Sequence, residues 1–239
     1  MGLGKFWHRS IVIIVSIILL WQFAKTWNFF YTDVANEPQL QVNQNDNGSL
    51  DTRKDHMVQI VVVIVYYEAL CPDSRNFIIK QLVPTYQKLL DNVAIELIPY
   101  GKATTTDLPN GYKFTCQHGP RECEANMIHA CAIDIIKNPT VQVNFIACMI
   151  EHNLWPINIT RNCAEKMHLD ADSILNCTKS SRGPELLAKY GRMTQSLNPP
   201  VSFIPTVTLN GNSYDQAAIL ANLLKEVCKH FKILPAGCL

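Results

Sequence analysis

The feature that most constrains this chain is a cysteine at the junction of a predicted strand and a predicted helix. The run Met57 to Tyr67 is almost continuously apolar, as in a central strand that is covered on both faces. Pro72 suits the first position of a helix, because that position needs no amide donor. Cys71 stands between the two, where the first helical amides and the positive end of the helix dipole favour negative charge. The sequence therefore predicts a reactive thiol at Cys71.

Ser74 stands three residues after Cys71 and completes the motif Cys-x-x-Ser. Thioredoxin-like proteins carry Cys-x-x-Cys at this junction, so the usual second cysteine is missing. A serine one helical turn away can donate a hydrogen bond to a thiolate, or it can simply cap the helix. The neighbouring Asp73 adds a negative charge, which disfavours a thiolate beside it.

The composition fits one globular domain in an oxidising compartment. The chain has 239 residues, of which 48% are hydrophobic, and this is enough for one sizeable core. The formal net charge is +1 and the basic residues are dispersed, so nucleic acid is not expected as a partner. Nine cysteines are many for this length and require a redox assignment.

Residues 1–31 have the layout of a secretory signal. Lys5 and Arg9 precede an uncharged, apolar run from Ser10 to Ala24. No convincing cleavage site follows this run, so a signal anchor and a cleaved signal peptide both stay open. A retained anchor would contact the membrane and give a single-pass protein whose C-terminal part is lumenal or extracellular.

Potential glycosylation sites and the other cysteines agree with a secretory route. Sequons begin at Asn47, Asn158 and Asn176. In an oxidising lumen most cysteines form disulfides. Setting Cys71 aside leaves an even set that can form four bridges, although their connectivity stays open. The set is Cys116, Cys123, Cys131, Cys148, Cys163, Cys177, Cys228 and Cys238.

The predicted domain spans residues 57–231, between a flexible polar linker at 32–56 and a C-terminal tail at 232–239. It opens with a βαβ unit, in which a helix that Pro84 kinks leads to a second strand, Val93 to Tyr100. Residues from about 104 to 196 are predicted to be a helical insertion stapled by disulfides. Its expected helices are Glu122 to Ile136, Val141 to Asn153, Asn162 to Asn176 and Pro184 to Leu197.

A strand pattern returns at Val201 to Leu209. Pro205 interrupts this pattern, which a cis proline or a trans proline on an edge strand can each explain. Asn210-Gly211 is a strong turn signal, after which Asn212 to Tyr214 would form a returning strand. Asp215 would then cap a last helix that runs to Phe231. The order βαβ…ββα predicts an α/β, thioredoxin-like fold with a cis proline facing Cys71.

A longer motif makes the prediction more specific. The segment Cys116-Gln117-His118-Gly119-Pro120-Arg121-Glu122-Cys123-Glu124-Ala125-Asn126, followed by Cys131, resembles the signature of the gamma-interferon-inducible lysosomal thiol reductase (GILT) family. Tyr66 to Cys71 resembles that family's approach to its active site, and Ile204 to Gly211 resembles its cis-proline strand. The resemblance covers about Val58 to Cys228.

The resemblance implies that the protein reduces disulfides in other proteins, in the secretory or endolysosomal route, without a cofactor or a metal. Cys71 would be the nucleophile and Pro205 would shape the substrate cleft. Ser74 departs from the family pattern, in which a second cysteine releases the substrate. Release would then need an external small thiol or a free cysteine of the substrate, as in a monothiol reductase or isomerase.

Several other interpretations stay open at this point. Cys71 could be buried and inert, or paired with another chain. A zinc site from Cys116, Cys123 and Cys131 with His118 and His129 has poorly fitting spacings, and structural disulfides are favoured instead. His118 and Gln117 are interpreted as structural hydrogen-bonding residues. The protein could also be a non-catalytic thioredoxin-like module that binds or traps partners, or a disulfide-stapled domain with an immune or adhesive role.

Overall fold

The computed structural model describes Gln22, which is helical, and residues 58–239. The signal of residues 1–31, the linker of residues 32–56 and the sequon at Asn47 therefore lie outside the described residues, apart from Gln22 itself. Within the part of the chain that is described, no helix has both the length and the apolar character needed to cross a membrane. All elements named below belong to the unit Asp55–Leu239.

A three-stranded sheet forms the centre of this unit, in the order β2-β1-β5. Strand β1 (Val61–Tyr67) pairs in parallel with β2 (Val93–Pro99) and antiparallel with β5 (Thr206–Leu209). The last three residues of β1 are all buried, as the continuous apolar run predicts for a strand covered on both faces.

The helix between β1 and β2 is interrupted. It begins as α1 (Pro72–Phe77), continues as a π-helical turn over Ile78–Leu82 and ends as α2 (Val83–Lys88). Pro84 has no amide hydrogen, and its ring would clash with the carbonyl four residues earlier. The wider turn, in which Val83 N donates to Ile78 O, accommodates this proline. The predicted kink is therefore a π-helical turn that lies just before the proline.

Residues 104–196 begin with two strands, so the prediction of helices throughout this region was wrong at its start. Strand β3 (Thr104–Leu108) pairs with β4 (Gly111–Thr115) as an antiparallel hairpin. Five helices follow, because the predicted helix Asn162 to Asn176 is divided into two. They are α3 (Pro120–Ile135), α4 (Pro139–Glu151), α5 (Pro156–Lys166), α6 (Ala171–Lys179) and α7 (Arg182–Gln195).

The C-terminal part contains fewer strand residues than predicted. β5 begins only at Thr206, after the cis bond between Ile204 and Pro205. Asn210 and Gly211 both have positive φ, as the turn signal predicts. The returning strand Asn212 to Tyr214 is absent from the described structure, where a single bridge joins Leu209 to Asn212.

Two short helices replace the single last helix of the prediction: α8 (Gln216–Ala221) and α9 (Leu223–Cys228). Asn222 separates them, and its side chain caps α9 by accepting from Lys225 N. Gln216, at the start of α8, makes two hydrogen bonds to the backbone of Val207 in β5. A 3₁₀ turn, Ala236–Cys238, ends the chain.

Four disulfides staple the helices and the C-terminal residues, and they use the eight cysteines that the sequence predicts. They are Cys116–Cys123, Cys131–Cys177, Cys148–Cys163 and Cys228–Cys238. The second joins α3 to α6, the third joins α4 to α5, and the fourth ties the terminal 3₁₀ turn to α9.

Candidate active site

Cys71 occupies the junction between β1 and α1. It has extended backbone angles and precedes Pro72, the first residue of α1. Its carbonyl accepts a hydrogen bond from Arg75 N at 3.0 Å, as the residue before a helix should. All nine cysteines lie within residues 58–239, and among them Cys71 alone is outside a disulfide. Its side chain is 7% exposed, so the thiol lies just below the surface.

Pro205 lies opposite Cys71, and its peptide bond is cis, as predicted. The contact that joins them is between Cys71 Sγ and the carbonyl oxygen of Ile204, at 3.9 Å. The same side of the molecule carries a groove beside Pro205, which α1, the π-helical turn and α8 line with Asp73, Asn76, Phe77, Lys80, Gln81 and Leu220. A substrate chain that reached Cys71 would therefore meet both backbone and side chains of this groove.

Ser74 is fully buried one turn into α1. Its Oγ accepts a hydrogen bond from Glu68 N at 3.3 Å. Among the described residues, the hydrogen-bonding contact of Cys71 Sγ is with Ile204 and not with Ser74. The expected donation from Ser74 to the sulfur is therefore not observed, and the hydroxyl oxygen instead serves as an acceptor for the Glu68 amide.

Two asparagines hold the loop that leads to Cys71, and the sequence did not single them out for this role. Asn126 Oδ1 accepts from Ala69 N at 2.8 Å, and Asn153 Nδ2 donates to Ala69 O at 2.7 Å. Both asparagines are buried. Asn126 comes from α3 and Asn153 follows α4, so the inserted helices fix both backbone polar groups of Ala69 in the active-site loop.

A cluster of three ionisable side chains lies behind the same loop. His118 Nδ1 is 2.5 Å from Glu122 Oε2 and 3.4 Å from Glu68 Oε2. Burial raises the pKa of Glu68, and the Lys102 amide, which donates to its Oε1, opposes that rise. The prediction that His118 is a structural hydrogen-bonding residue identified one member of this cluster but not its two carboxyl partners. Glu68 and Glu122 both lie in the motifs described above, but nothing in their spacing shows that they meet at His118.

The zinc alternative does not survive the disulfides. Cys116 pairs with Cys123 and Cys131 pairs with Cys177, so none of the three cysteines of that alternative is free to bind a metal. His129 is buried, and its Nδ1 pairs with Tyr67 Oη at 2.9 Å. Burial lowers the pKa of His129 to about 3.

Asn158 and Asn176, which begin the two described sequons, are both exposed. They lie on α5 and α6 respectively, on the inserted helices.

Comparison with known proteins agrees with this geometry. Residues 62–167 match the family model described as gamma interferon inducible lysosomal thiol reductase (GILT). The chain is 34% identical over 197 residues to a gamma-interferon-inducible lysosomal thiol reductase-like protein of Anopheles gambiae, covering 75% of this chain and 80% of that protein. It is 36% identical over 183 residues to the gamma-interferon-inducible lysosomal thiol reductase of Carassius auratus, covering 74% and 72%.

The fold resembles solved structures of the thioredoxin-like class. BdbD from Bacillus subtilis superposes with a TM-score of 0.52 at 14% identity, over 71% of this chain and 86% of that one. DsbA from Chlamydia trachomatis gives a TM-score of 0.51 at 13% identity, over 79% of this chain and 100% of that one. These likenesses concern the fold, which is α/β and thioredoxin-like. The sequence matches go further, and the chain belongs to the gamma-interferon-inducible lysosomal thiol reductase family.

Proposed function

We propose that the protein is a thiol–disulfide oxidoreductase that reduces or isomerises disulfides of other proteins through Cys71 alone. The observation that carries the proposal is a single free cysteine at a strand-to-helix junction, facing a cis proline, with serine in place of a second cysteine. Membership of a thiol reductase family and the thioredoxin-like fold support the oxidoreductase activity.

The first step is an exchange of sulfur bonds. The Cys71 thiolate attacks one sulfur of a substrate disulfide and forms a mixed disulfide, while the other substrate sulfur leaves as a thiolate and takes a proton from solvent. Burial of Cys71 beside the Ile204 carbonyl restricts the direction from which a disulfide can approach the sulfur. Groups of the groove beside Pro205 would hold an extended segment of the substrate during this step.

The second step needs a thiol from outside the chain, because Ser74 cannot attack a disulfide. A small thiol attacks the Cys71 sulfur and releases the reduced substrate. A second small thiol then attacks the resulting mixed disulfide, frees Cys71 and leaves as the oxidised small-molecule disulfide. The two thiols supply the two electrons that the substrate gains. When a thiol of the substrate itself attacks, the disulfide is isomerised with no net change in electrons.

We place this activity in the secretory route, at a lysosomal, endosomal or extracellular site. The four disulfides support an oxidising compartment, and the predicted signal and the sequons support the same route. The partners we propose are disulfide-containing proteins, a small thiol reductant and, if the N-terminal segment is retained, a membrane. Nucleic acid is not among them.

The test of the proposal compares Ser74→Cys, Ser74→Ala and Cys71→Ser with the wild type. Reduction of a disulfide-bonded protein substrate is measured as the concentration of small thiol is varied, and mixed disulfides are counted by mass spectrometry. The wild type should accumulate a mixed disulfide on Cys71 and depend steeply on small thiol. Ser74→Cys should weaken that dependence, because an intramolecular thiol can act at an effective concentration of roughly 10⁵ M or more in well-oriented cases.

Ser74→Ala is the matched control, since it removes the hydroxyl without adding a thiol, and it should keep the wild-type dependence on small thiol. Full activity in Cys71→Ser would end the redox proposal. The missing second cysteine favours one other candidate, a module that traps partners covalently without turnover. That candidate predicts a mixed disulfide that small thiols do not release and that Ser74→Cys does not make catalytic.

A further inference from the structure

The cluster of Glu68, His118 and Glu122 is built so that two carboxyl groups face one imidazole nitrogen. Glu68 Oε1 accepts from Lys102 N at 2.7 Å, and Glu122 Oε1 accepts from His118 N at 3.0 Å. The remaining oxygen of each carboxyl group faces His118 Nδ1. Both glutamates are buried, whereas the His118 side chain is about one-third exposed. The cluster is therefore fixed by backbone donors and reaches solvent through His118.

One nitrogen cannot satisfy both carboxyl oxygens. His118 Nδ1 carries at most one hydrogen, and the 2.5 Å contact assigns it to Glu122. Glu68 Oε2 is then buried without a hydrogen-bond partner among the described residues. An unpaired carboxylate oxygen in such a place is costly, so an additional proton on the cluster is favoured. Burial raises the pKa of Glu68 and the nearby Glu122 carboxylate adds to the rise, which agrees with that assignment.

The geometry favours a shared proton over a metal ion. The three ligand atoms lie within 4.8 Å of one another, which is close enough for a cation to be considered. However, a zinc ion binds nitrogen and oxygen at about 2.1 Å, so two ligands at a tetrahedral angle lie roughly 3.4 Å apart. The 2.5 Å separation of His118 Nδ1 and Glu122 Oε2 is shorter than two ligands of one zinc ion allow, so in this geometry the two groups share a hydrogen bond.

The backbone of Glu68 connects this cluster to Cys71. Its carbonyl accepts from Cys71 N at 3.3 Å, and its amide donates to Ser74 Oγ. Gly101 packs against the Glu68 side chain, and a Cβ atom built on Gly101 would lie 2.1 Å from Glu68 Cγ. Gly101 also has a φ of +62°, which side chains rarely adopt. Glu68 thus packs against Gly101 through its side chain and is hydrogen-bonded through its backbone to the loop that carries Cys71.

We propose that Glu68, His118 and Glu122 share a proton and act as positioning residues for Cys71, so that proton uptake by the cluster in acid sustains the Cys71 thiolate. This inference depends on the proposed function, in which Cys71 is the nucleophile. Among the described residues, the charged groups that act on the Glu68 carboxyl are Lys102 from the turn after β2, His118, and Glu122 from α3. Proton uptake removes a negative charge from a residue whose backbone is hydrogen-bonded to Cys71 N and Ser74 Oγ, and so reduces its repulsion of a Cys71 thiolate.

The expected signature lies in the pH profile of Cys71 alkylation. In the folded protein, the rate of reaction with iodoacetamide follows the thiolate fraction. As the pH drops, the wild-type rate should fall, and it should fall less steeply over the range in which the cluster takes up its proton. This flatter part of the profile is a shoulder. Glu68→Gln and Glu122→Gln should lose the shoulder and follow the curve of a single titrating thiol. Glu124→Gln is the matched control, because Glu124 is exposed on the same helix outside the cluster, and it should keep the shoulder.

Circular dichroism and the count of one labelled thiol verify that each variant is folded, and His118→Asn is the substitute if a glutamine variant does not fold. A wild-type profile without a shoulder, or a shoulder that survives in Glu68→Gln, would overturn the inference while leaving the proposed function intact. A Cys71 that is not labelled at any pH would overturn both. Calorimetric titration with zinc chloride tests whether the cluster binds a metal. Zinc binding by the wild type that is lost in Glu68→Gln would overturn the shared-proton inference in favour of a metal site.

Discussion

His129 makes the stability of this protein depend on pH in a way that can be calculated. Its imidazole is 3% exposed and packs among apolar side chains that include Met149 and Ile159. Burial lowers its pKa from 6.5 to about 3. The unfolded chain therefore takes up a proton on this residue as the pH falls through 6.5, whereas the folded chain stays neutral until about pH 3. Stability is full above the unfolded pKa and is lost as the pH falls through that window.

The magnitude follows from the two pKa values. Between about pH 7 and about pH 5, linkage through this one histidine lowers the free energy of unfolding by about 2 kcal/mol. We expect His129→Gln to remove that pH-dependent part, because glutamine stays neutral at both pH values. The substitution can change the stability at both values equally through its altered contact with Tyr67 Oη. The informative quantity is therefore the difference between the two pH values and not the stability at either one.

Urea unfolding followed by tryptophan fluorescence, with Cys71 alkylated to prevent thiol exchange, measures this quantity. His152→Gln is the control, because His152 is exposed at the end of α4, and it should keep the wild-type pH dependence. The raised pKa of Glu68 has the opposite sign, since its stabilisation is lost as the pH rises. That contribution is common to all three proteins and cancels in the comparison. A His129→Gln protein that loses as much stability as the wild type between the two pH values would refute the assignment.

Two further predictions concern the disulfides and the sequons. Replacing Cys131 and Cys177 with alanine should cost about 4 kcal/mol of unfolding free energy by the chain-entropy relation, because 46 residues separate them. The same change at Cys116 and Cys123, separated by 7 residues, should cost about 2 kcal/mol. Chemical denaturation measures both losses of unfolding free energy, and equal losses would contradict the loop-length argument. Protein made in a eukaryotic secretory host should carry a glycan at Asn158 or Asn176, since both are exposed. Glycosidase treatment should then increase its gel mobility, and in a protein that already carries Asn47→Gln this effect should vanish when Asn158 and Asn176 are also replaced by glutamine.

The sequence predicted the active-site loop well because each part had a strong local signal. The apolar run of β1, the proline at the start of α1 and the turn at Asn210 each follow from short-range rules. The position of Pro205 opposite Cys71 followed from the order of the elements in a thioredoxin-like fold. These features needed no knowledge of which distant residues pack together.

The missed features depend on contacts that no local pattern encodes. Strand β3 is rich in threonine and largely exposed, so it lacks the apolar alternation that identifies a half-buried strand. Glu68 and Glu122 are 54 positions apart and meet only because α3 packs behind the loop. Asn153 could not be assigned to Ala69 from the sequence for the same reason. Local breaks at the π-helical turn and at Asn222 interrupt helices whose apolar spacing continues through them.

The two hydrogen bonds between the Gln216 carboxamide and the backbone of Val207 close the outer edge of the central sheet at this position. β5 is an edge strand, and an exposed edge normally offers its free amides and carbonyls to another chain. The carboxamide of Gln216 occupies both polar groups of Val207 and so takes the place of a neighbouring strand. An extended polypeptide therefore cannot continue its pairing along β5. For the substrate proposed above, backbone pairing would be limited to the short stretch before β5, next to Pro205, where the Ile204 carbonyl lies 3.9 Å from Cys71 Sγ.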